Sequence, residues 1–137
     1  MPNQLLLGFD FGLKHMGVAV GQTITGTASP LTTLTAQNGI PDWKVLDTLI
    51  EDWQPTTLVI GLPLNMDGSM SDMAHRARHF AKQLEERYHK PSHCIDERLT
   101  TQAAEQWFLE HHARHPSKGE LDTLSAVIIL ESFLSEL

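Results

Sequence analysis

"GFDFGLKHMGVAVG", residues 8–21, sets one aspartate, Asp10, inside a run that otherwise reads as a buried hairpin. "QLLLGFD" (4–10) predicts a mostly apolar strand and "MGVAVGQ" (16–22) a second, joined by a tight connection through Gly12 and Lys14. That places Asp10 near the mouth of the hairpin. A carboxylate at the edge of a buried strand calls for a partner or a metal.

The elements downstream fix the fold class. "TGTASPLTTLTA" (25–36) is rich in Thr and β-compatible residues and predicts a third strand, with Pro30 placing it at an edge or irregular position. "PDWKVLDTLIEDWQP" (41–55) starts on Pro at a permitted first-turn position and repeats apolar residues at Trp43, Leu46, Leu49, Ile50 and Trp53, predicting an amphipathic helix. "TTLVIGLPL" (56–64) is a continuous apolar run, as a central strand buried on both faces would be, and belongs beside the first strand. From Ser71 to Tyr88 an apolar stripe of Met73, Ala77, Phe80, Ala81 and Leu84 predicts a second helix. "PSHCIDE" (91–97) is another short strand. A helix capped at Thr100 or Thr101 and packed through Ala104, Trp107 and Phe108 follows it. The last helix is largely buried and carries Asp122 in its first turn. The order β-β-β-α-β-α-β-α-α predicts an α/β fold, a mixed five-stranded sheet flanked by helices, formed by residues 1–137 as one domain.

Composition narrows the function. A hydrophobic content of 41% and a charged content of 20% fit a globular protein without low-complexity tracts. The formal charge of −7, from 10 Lys and Arg against 17 Asp and Glu, has the wrong sign for coating nucleic acid nonspecifically but leaves room for a local basic patch. No basic region precedes the first apolar run, and Asp10 interrupts it well short of a signal or membrane helix, so a cytoplasmic protein without membrane attachment is expected. Cys94 is the single cysteine, which excludes an internal disulfide and reads as a buried structural thiol. His75 and His79 have helical i, i+4 spacing but no third ligand. With His111, His112 and His115 they read as solvated helix surface.

Three carboxylates sit at element boundaries: Asp10 at the end of the first strand, Glu97 at the end of the last in "IDERLTT", and Asp122 in "KGELDTLSA". In an open α/β sheet the C-terminal ends of parallel strands gather along one edge, where sites form. Asp10 and Glu97 converge there if their strands run the same way, and Asp122 reaches them if the last helix packs across that edge, helped by the small Ser125 and Ala126. Strand alternation sends Asp96 and Glu97 to opposite faces, so only one of the two can join Asp10. Clustered carboxylates repel one another and are best stabilised by hard divalent cations such as Mg²⁺ or Mn²⁺.

Four motifs, "DFGLKHMGVAVG", "VIGLPLNMDGSMSDMAHRARHFA", "DERLTT" and "KGELDTLSAVIILESFL", occur in the order and at the spacings of the YqgF (RuvX) family of bacterial ribonuclease H-like proteins, which the chain resembles over nearly its whole length. The resemblance implies a ribonuclease H-like fold and a metal-dependent nuclease site that hydrolyses phosphodiesters in RNA. It further implies a role in maturing the 5′ end of pre-16S ribosomal RNA, with precursor rRNA and the pre-ribosomal particle as partners. An older idea for the family, Holliday-junction resolution, makes branched DNA the alternative substrate. By the same resemblance the metal-binding and catalytic acids are Asp10, Glu97 and Asp122, with Glu97 chosen over Asp96. Many members carry Arg where this chain has His15, so the phosphate contact at that turn is assigned to Lys14. Further candidate substrate contacts are Asn65, Arg76, Arg78, Arg98 and Lys118.

Two other function classes compete. The opening hairpin is similar to the phosphate loop of actin-like and sugar-kinase ATPases, but those need a duplicated domain, and nothing after residue 60 repeats the hairpin. A noncatalytic ribosome-assembly factor is disfavoured by the acidic set, because carboxylates near a phosphate backbone weaken binding unless a metal neutralises them. A monomer and a homodimer are equally compatible with the apolar last helix.

Overall fold

The computed structural model describes residues 3–97, 100–112 and 114–137, with backbone alone for 100–104. Six strands form one mixed sheet in the order β4-β3-β2-β1-β5-β6. β1 (Leu5–Asp10), β2 (His15–Gln22) and β3 (Thr27–Gln37) form an antiparallel meander, while β5 (Thr57–Leu62) and β6 (Ser92–Asp96) add on the other side of β1, parallel to it. The crossovers are α1 (Trp43–Trp53) and α2 (Asp72–Tyr88), and the chain ends in α3 (Thr100–His112) and α4 (Lys118–Ser135). Among these residues no helix is long and apolar enough to cross a membrane.

The sixth strand corrects the expected five. β4 is only Ile40–Pro41, folded back on Ala36 and Gln37. Its two-residue connection, Asn38-Gly39, has both residues at positive φ (50° and 81°), the conformation that Asn-Gly favours in tight hairpins. Pro41 therefore belongs to this hairpin and not to the first helical turn. Asp42 caps α1 instead, its side chain accepting the Lys44 N–H at 3.1 Å. Pro30 does mark an irregularity: Val18 pairs with Thr32 and Ala19 with Pro30, so Leu31 is the extra residue of a bulge.

Side-chain alternation gives the sheet two cores. Leu7 and Phe9 of β1, with Leu58 and Ile60 of β5, face α1 and α2, where Phe80 meets Phe9 edge to face at 5.9 Å and Phe11 at 5.5 Å. Leu6 and Val59 point the other way, onto Ala126, Ile129, Leu130 and Leu134 of α4. Asp10 shares the parity of Leu6 and so emerges on the α4 face. Glycines let α4 come close there: a Cβ on Gly8 would stand 2.8 Å from the Leu130 Cβ, and one on Gly17 would fall on the Asp122 backbone carbonyl. Cys94 is exposed, correcting the expectation of a buried thiol, because β6 is an edge strand.

Candidate metal centre

The strand directions bring the acids together. β1, β5 and β6 are parallel, so Asp10 and Glu97 leave the sheet at the same edge, the Glu97 N–H being held by the Leu62 carbonyl at 3.0 Å. Ile95, two residues earlier, packs on the α4 side, and Glu97 has the same parity; Asp96 is exposed. From above, α4 presents Asp122, Ser125, Ala126 and Ile129 as one buried stripe at helical spacing. Its start is fixed by a capping box between Ser117 and Glu120. Because the helix begins at Lys118, Asp122 stands one turn inside it, not in the first turn as its sequence suggested.

Asp10, Glu97, Asp122 and Ser125 line a cleft of about 310 Å³, with His15 and Lys118 at its sides and Phe11, Leu64, Met73 and Leu121 supplying apolar wall. Asp122 is 8% exposed; its Oδ1 accepts from Lys118 Nζ at 3.3 Å, whereas its Oδ2 and the Ser125 Oγ are buried with no hydrogen-bond partner among the described residues. Burial, reinforced by the Asp122 charge and opposed by Lys118, pushes Asp10 up to about 7. Burial, then Asp10 and Asp96, pushes Glu97 up to about 8. For Asp10, burial and the neighbouring carboxylate outweigh the Lys118 charge, so the cleft favours an added cation.

The donor set fits a hard divalent cation: all-oxygen, anionic, and including an orphaned buried carboxylate oxygen. Among the described residues no three His, Cys, Asp or Glu side chains close on a single point. That is compatible with Mg²⁺, which keeps several waters and is bound through one or two carboxylates plus substrate phosphate more often than in an all-protein cage.

The substrate candidates divide. Lys118 lines the cleft. Lys14 is exposed on the hairpin turn outside the lining, and its neighbour His15 faces the cleft instead. Asn65 is spent on its own loop, its Nδ2 donating to the Ser69 Oγ at 3.0 Å. Arg76 Nη1 donates to Asn38 Oδ1 at 3.2 Å, tying α2 to the β3–β4 turn. Arg78 is exposed on α2, near enough to Cys94 to act on it electrostatically. Arg98 lies outside the described residues.

Sequence reasoning missed two residues that make the room. Gly17 is the cross-strand partner of Asp10 and lies under the Asp122 carbonyl. Gly61 leaves space for Glu97, whose Cδ would stand 2.7 Å from a Cβ placed there. The signal was available: a glycine facing an acid across a hairpin, and another inside a strand otherwise built of Thr, Leu, Val and Ile.

The RuvX family, described as Holliday junction resolvase, matches residues 4–136. A relative from Pseudomonas paraeruginosa is 48% identical over 136 residues, covering 98% of this chain and 94% of its own. One from Enterobacter sp. is 49% identical over 132 residues, covering 96% of each; both carry the name "Putative pre-16S rRNA nuclease". Among solved structures, T. thermophilus RuvC in complex with a Holliday junction substrate aligns with a TM-score of 0.55 at 11% identity over 97% of this chain and 94% of its own. The yeast mitochondrial Holliday junction resolvase aligns at 0.53 and 10% over 94% and 77%. These two share the fold, a ribonuclease H-like mixed sheet flanked by helices. With near-half identity to its relatives across almost its entire length, the chain belongs to the RuvX family.

Proposed function

We propose that the protein is a metal-dependent nuclease that hydrolyses phosphodiester bonds in RNA at the Asp10, Glu97 and Asp122 cleft, and that its natural substrate is the 5′ region of pre-16S ribosomal RNA in a cytoplasmic pre-ribosomal particle. The observation that carries the reading is the convergence of three carboxylates from β1, the end of β6 and α4 on one cleft, with an unpartnered Asp122 oxygen inside it. The RNA substrate rests on the name shared by the curated relatives.

Asp10, Glu97 and Asp122 would hold Mg²⁺ or Mn²⁺, which when bound lowers the pKa of water and stabilises charge on a phosphoryl group. The chain's own residues do the rest. Asp10 interacts electrostatically with both Asp122 and Glu97, so it would link the two in holding the cation, and Phe11, Leu64, Met73 and Leu121 supply the apolar part of the cleft wall. Lys118 lines the same cleft, its Nζ 3.3 Å from Asp122 Oδ1, and would offer a phosphate a point charge there.

Lys118 also competes with a cation for Asp122 Oδ1. Lys118→Met is expected to lower RNA cleavage about tenfold or more, the size of a lost charge-assisted contact of about 1.5–3 kcal/mol, while the Mg²⁺ concentration giving half-maximal binding falls. Calorimetric Mg²⁺ titration beside cleavage assays separates the two effects.

The test of the function is cleavage of a labelled precursor rRNA fragment and of a four-way DNA junction, each with Mg²⁺, Mn²⁺ or chelator. Metal-dependent RNA cleavage is expected. The description of the family favours the junction as a second substrate, and cleavage of the junction alone would replace the RNA reading. Failure to cut either would turn the assignment to an assembly factor. Sedimentation of the same sample decides between monomer and homodimer.

A further inference from the structure

Two buried side-chain oxygens have no hydrogen-bond partner among the described residues, Asp122 Oδ2 and Ser125 Oγ, and both residues line the acid cleft from α4. Three positions apart, they share one face of the helix, with Cβ atoms about 5–6 Å from each other. Ser125 is 1% exposed, and its orphaned hydroxyl departs from the way the helices of this chain treat other hydroxyls. Thr48 donates to the Lys44 carbonyl at 3.1 Å, Thr123 to the Gly119 and Glu120 carbonyls at 3.1 Å, and Ser135 to the Ser132 carbonyl at 2.8 Å. A buried hydroxyl left unbonded destabilises the fold. A position that needed only a small side chain would take Ala, as Ala126 beside it does in the α4 core. The Ser125 oxygen is instead held where a ligand of the cleft would meet it.

We propose that Ser125 Oγ is a neutral oxygen ligand of the divalent cation, paired with Asp122 Oδ2 from one turn earlier on α4; the inference rests on the metal-dependent nuclease reading above. Hydroxyl oxygen is a hard donor, and a Ser or Thr hydroxyl sits on Mg²⁺ in phosphate-binding loops. The i, i+3 spacing on one helix is one by which bundles place two ligands on one metal. Asp122 itself leaves the matching oxygen open: Lys118 Nζ engages Oδ1 at 3.3 Å, and Oδ2 is the oxygen without a partner among the described residues. Since no three of the described His, Cys, Asp or Glu side chains close on one point, a set built from acids alone is short of oxygens. A hydroxyl adds one without adding charge. That matters in a cleft where burial and neighbouring carboxylates already push Asp10 up to about 7 and Glu97 up to about 8, because a further carboxylate would increase the repulsion.

The test uses the full chain without nucleic acid and reads Mg²⁺ and Mn²⁺ binding by calorimetry, so that metal affinity is measured apart from cleavage. Ser125→Ala keeps the side chain small and removes only the oxygen. It is expected to raise the Mg²⁺ dissociation constant about tenfold, the lower end of the effect of removing a group that supports a bound metal, while its melting temperature in chelator stays level or rises. Ser125→Cys, combined with Cys94→Ser so that it carries the one thiol, puts a soft sulfur in place of the hard oxygen. On titration with Cd²⁺ it is expected to gain an ultraviolet thiolate-to-Cd²⁺ charge-transfer band that the Cys94→Ser parent lacks and that adding Asp122→Asn weakens. Equal Mg²⁺ affinity of Ser125→Ala and wild type overturns the ligand and leaves the metal centre standing. A loss of affinity accompanied by a lower melting temperature in chelator marks lost packing and overturns it too, as does a Ser125→Cys variant without the Cd²⁺ band. Wild type that binds neither Mg²⁺ nor Mn²⁺ overturns the ligand and the metal centre together.

Discussion

Asp10→Asn is expected to reduce metal-dependent RNA cleavage by at least about a thousandfold, the size of several kcal/mol of transition-state stabilisation, and at the same time to make the metal-free protein more stable at pH 8. The two effects have one cause. Asp10 is held at about 7 in the folded protein, so the native state binds its proton more tightly than the unfolded chain does. The stability it contributes is full below the unfolded value near pH 4 and is lost as pH rises through about 7; Glu97 extends the loss to about 8. One pKa unit corresponds to about 1.4 kcal/mol, so ionising Asp10 in the empty cleft costs at most about 4 kcal/mol, and its neutral isostere recovers a large part of that. Thermal melts in chelator should show a gain of several degrees for Asp10→Asn at pH 8 and little or none at pH 4. Mg²⁺ should stabilise wild type far more than the variant. A variant that retains wild-type, metal-dependent cleavage would remove Asp10 from the site.

Gly17→Ala is expected to lose about 3 kcal/mol of stability, at the upper end for overpacking, and most of its cleavage activity, although residue 17 carries no reactive group. An added methyl falls on the Asp122 backbone carbonyl, and backbone on both sides leaves no flexible side chain to yield. α4 must retreat until the contact reopens to about 3.5 Å. Asp122 moves with it away from Asp10, and displacement of about 1 Å at a reacting centre costs about a hundredfold. Gly119→Ala is the matched control. Nothing lies within 4 Å of a Cβ there, so the change should be neutral or stabilising by up to about 1 kcal/mol through helix propensity. Urea unfolding and cleavage rates of the pair separate packing at Gly17 from a general effect of replacing glycine.

Much of this architecture is legible in the sequence because period and punctuation agree. The β1–β2 hairpin, the buried β5 and the apolar stripe of α2 each announce themselves by alternation, by a continuous apolar run or by helical spacing. β4 was hidden because two residues carry no period, though the Asn38-Gly39 pair marks its turn. Cys94 was misread because a short apolar strand looks the same at the edge of a sheet as at its centre. The acids stand out as charges at element boundaries, whereas Gly17 and Gly61 act by absence of a side chain and show only as glycines inside strands, and His15 faces the cleft through a register no local pattern reveals. The basic residues were the least readable group, since an arginine such as Arg76 looks identical in sequence whether it meets phosphate or a turn carbonyl.

The dispersal of the three acids along the chain has a consequence during synthesis. Asp10 and Glu97 emerge from the ribosome well before α4, and without that helix the Leu6, Ala19 and Val59 face of the sheet has no cover. At about 5–20 residues per second, the stretch from Glu97 to the end of α4 takes seconds to appear. Throughout that interval the nascent chain holds only part of its acid set, tethered to a particle made largely of RNA. Docking of α4 completes the core and the acid cleft in one event, so the proposed metal centre arrives with folding and cannot precede it.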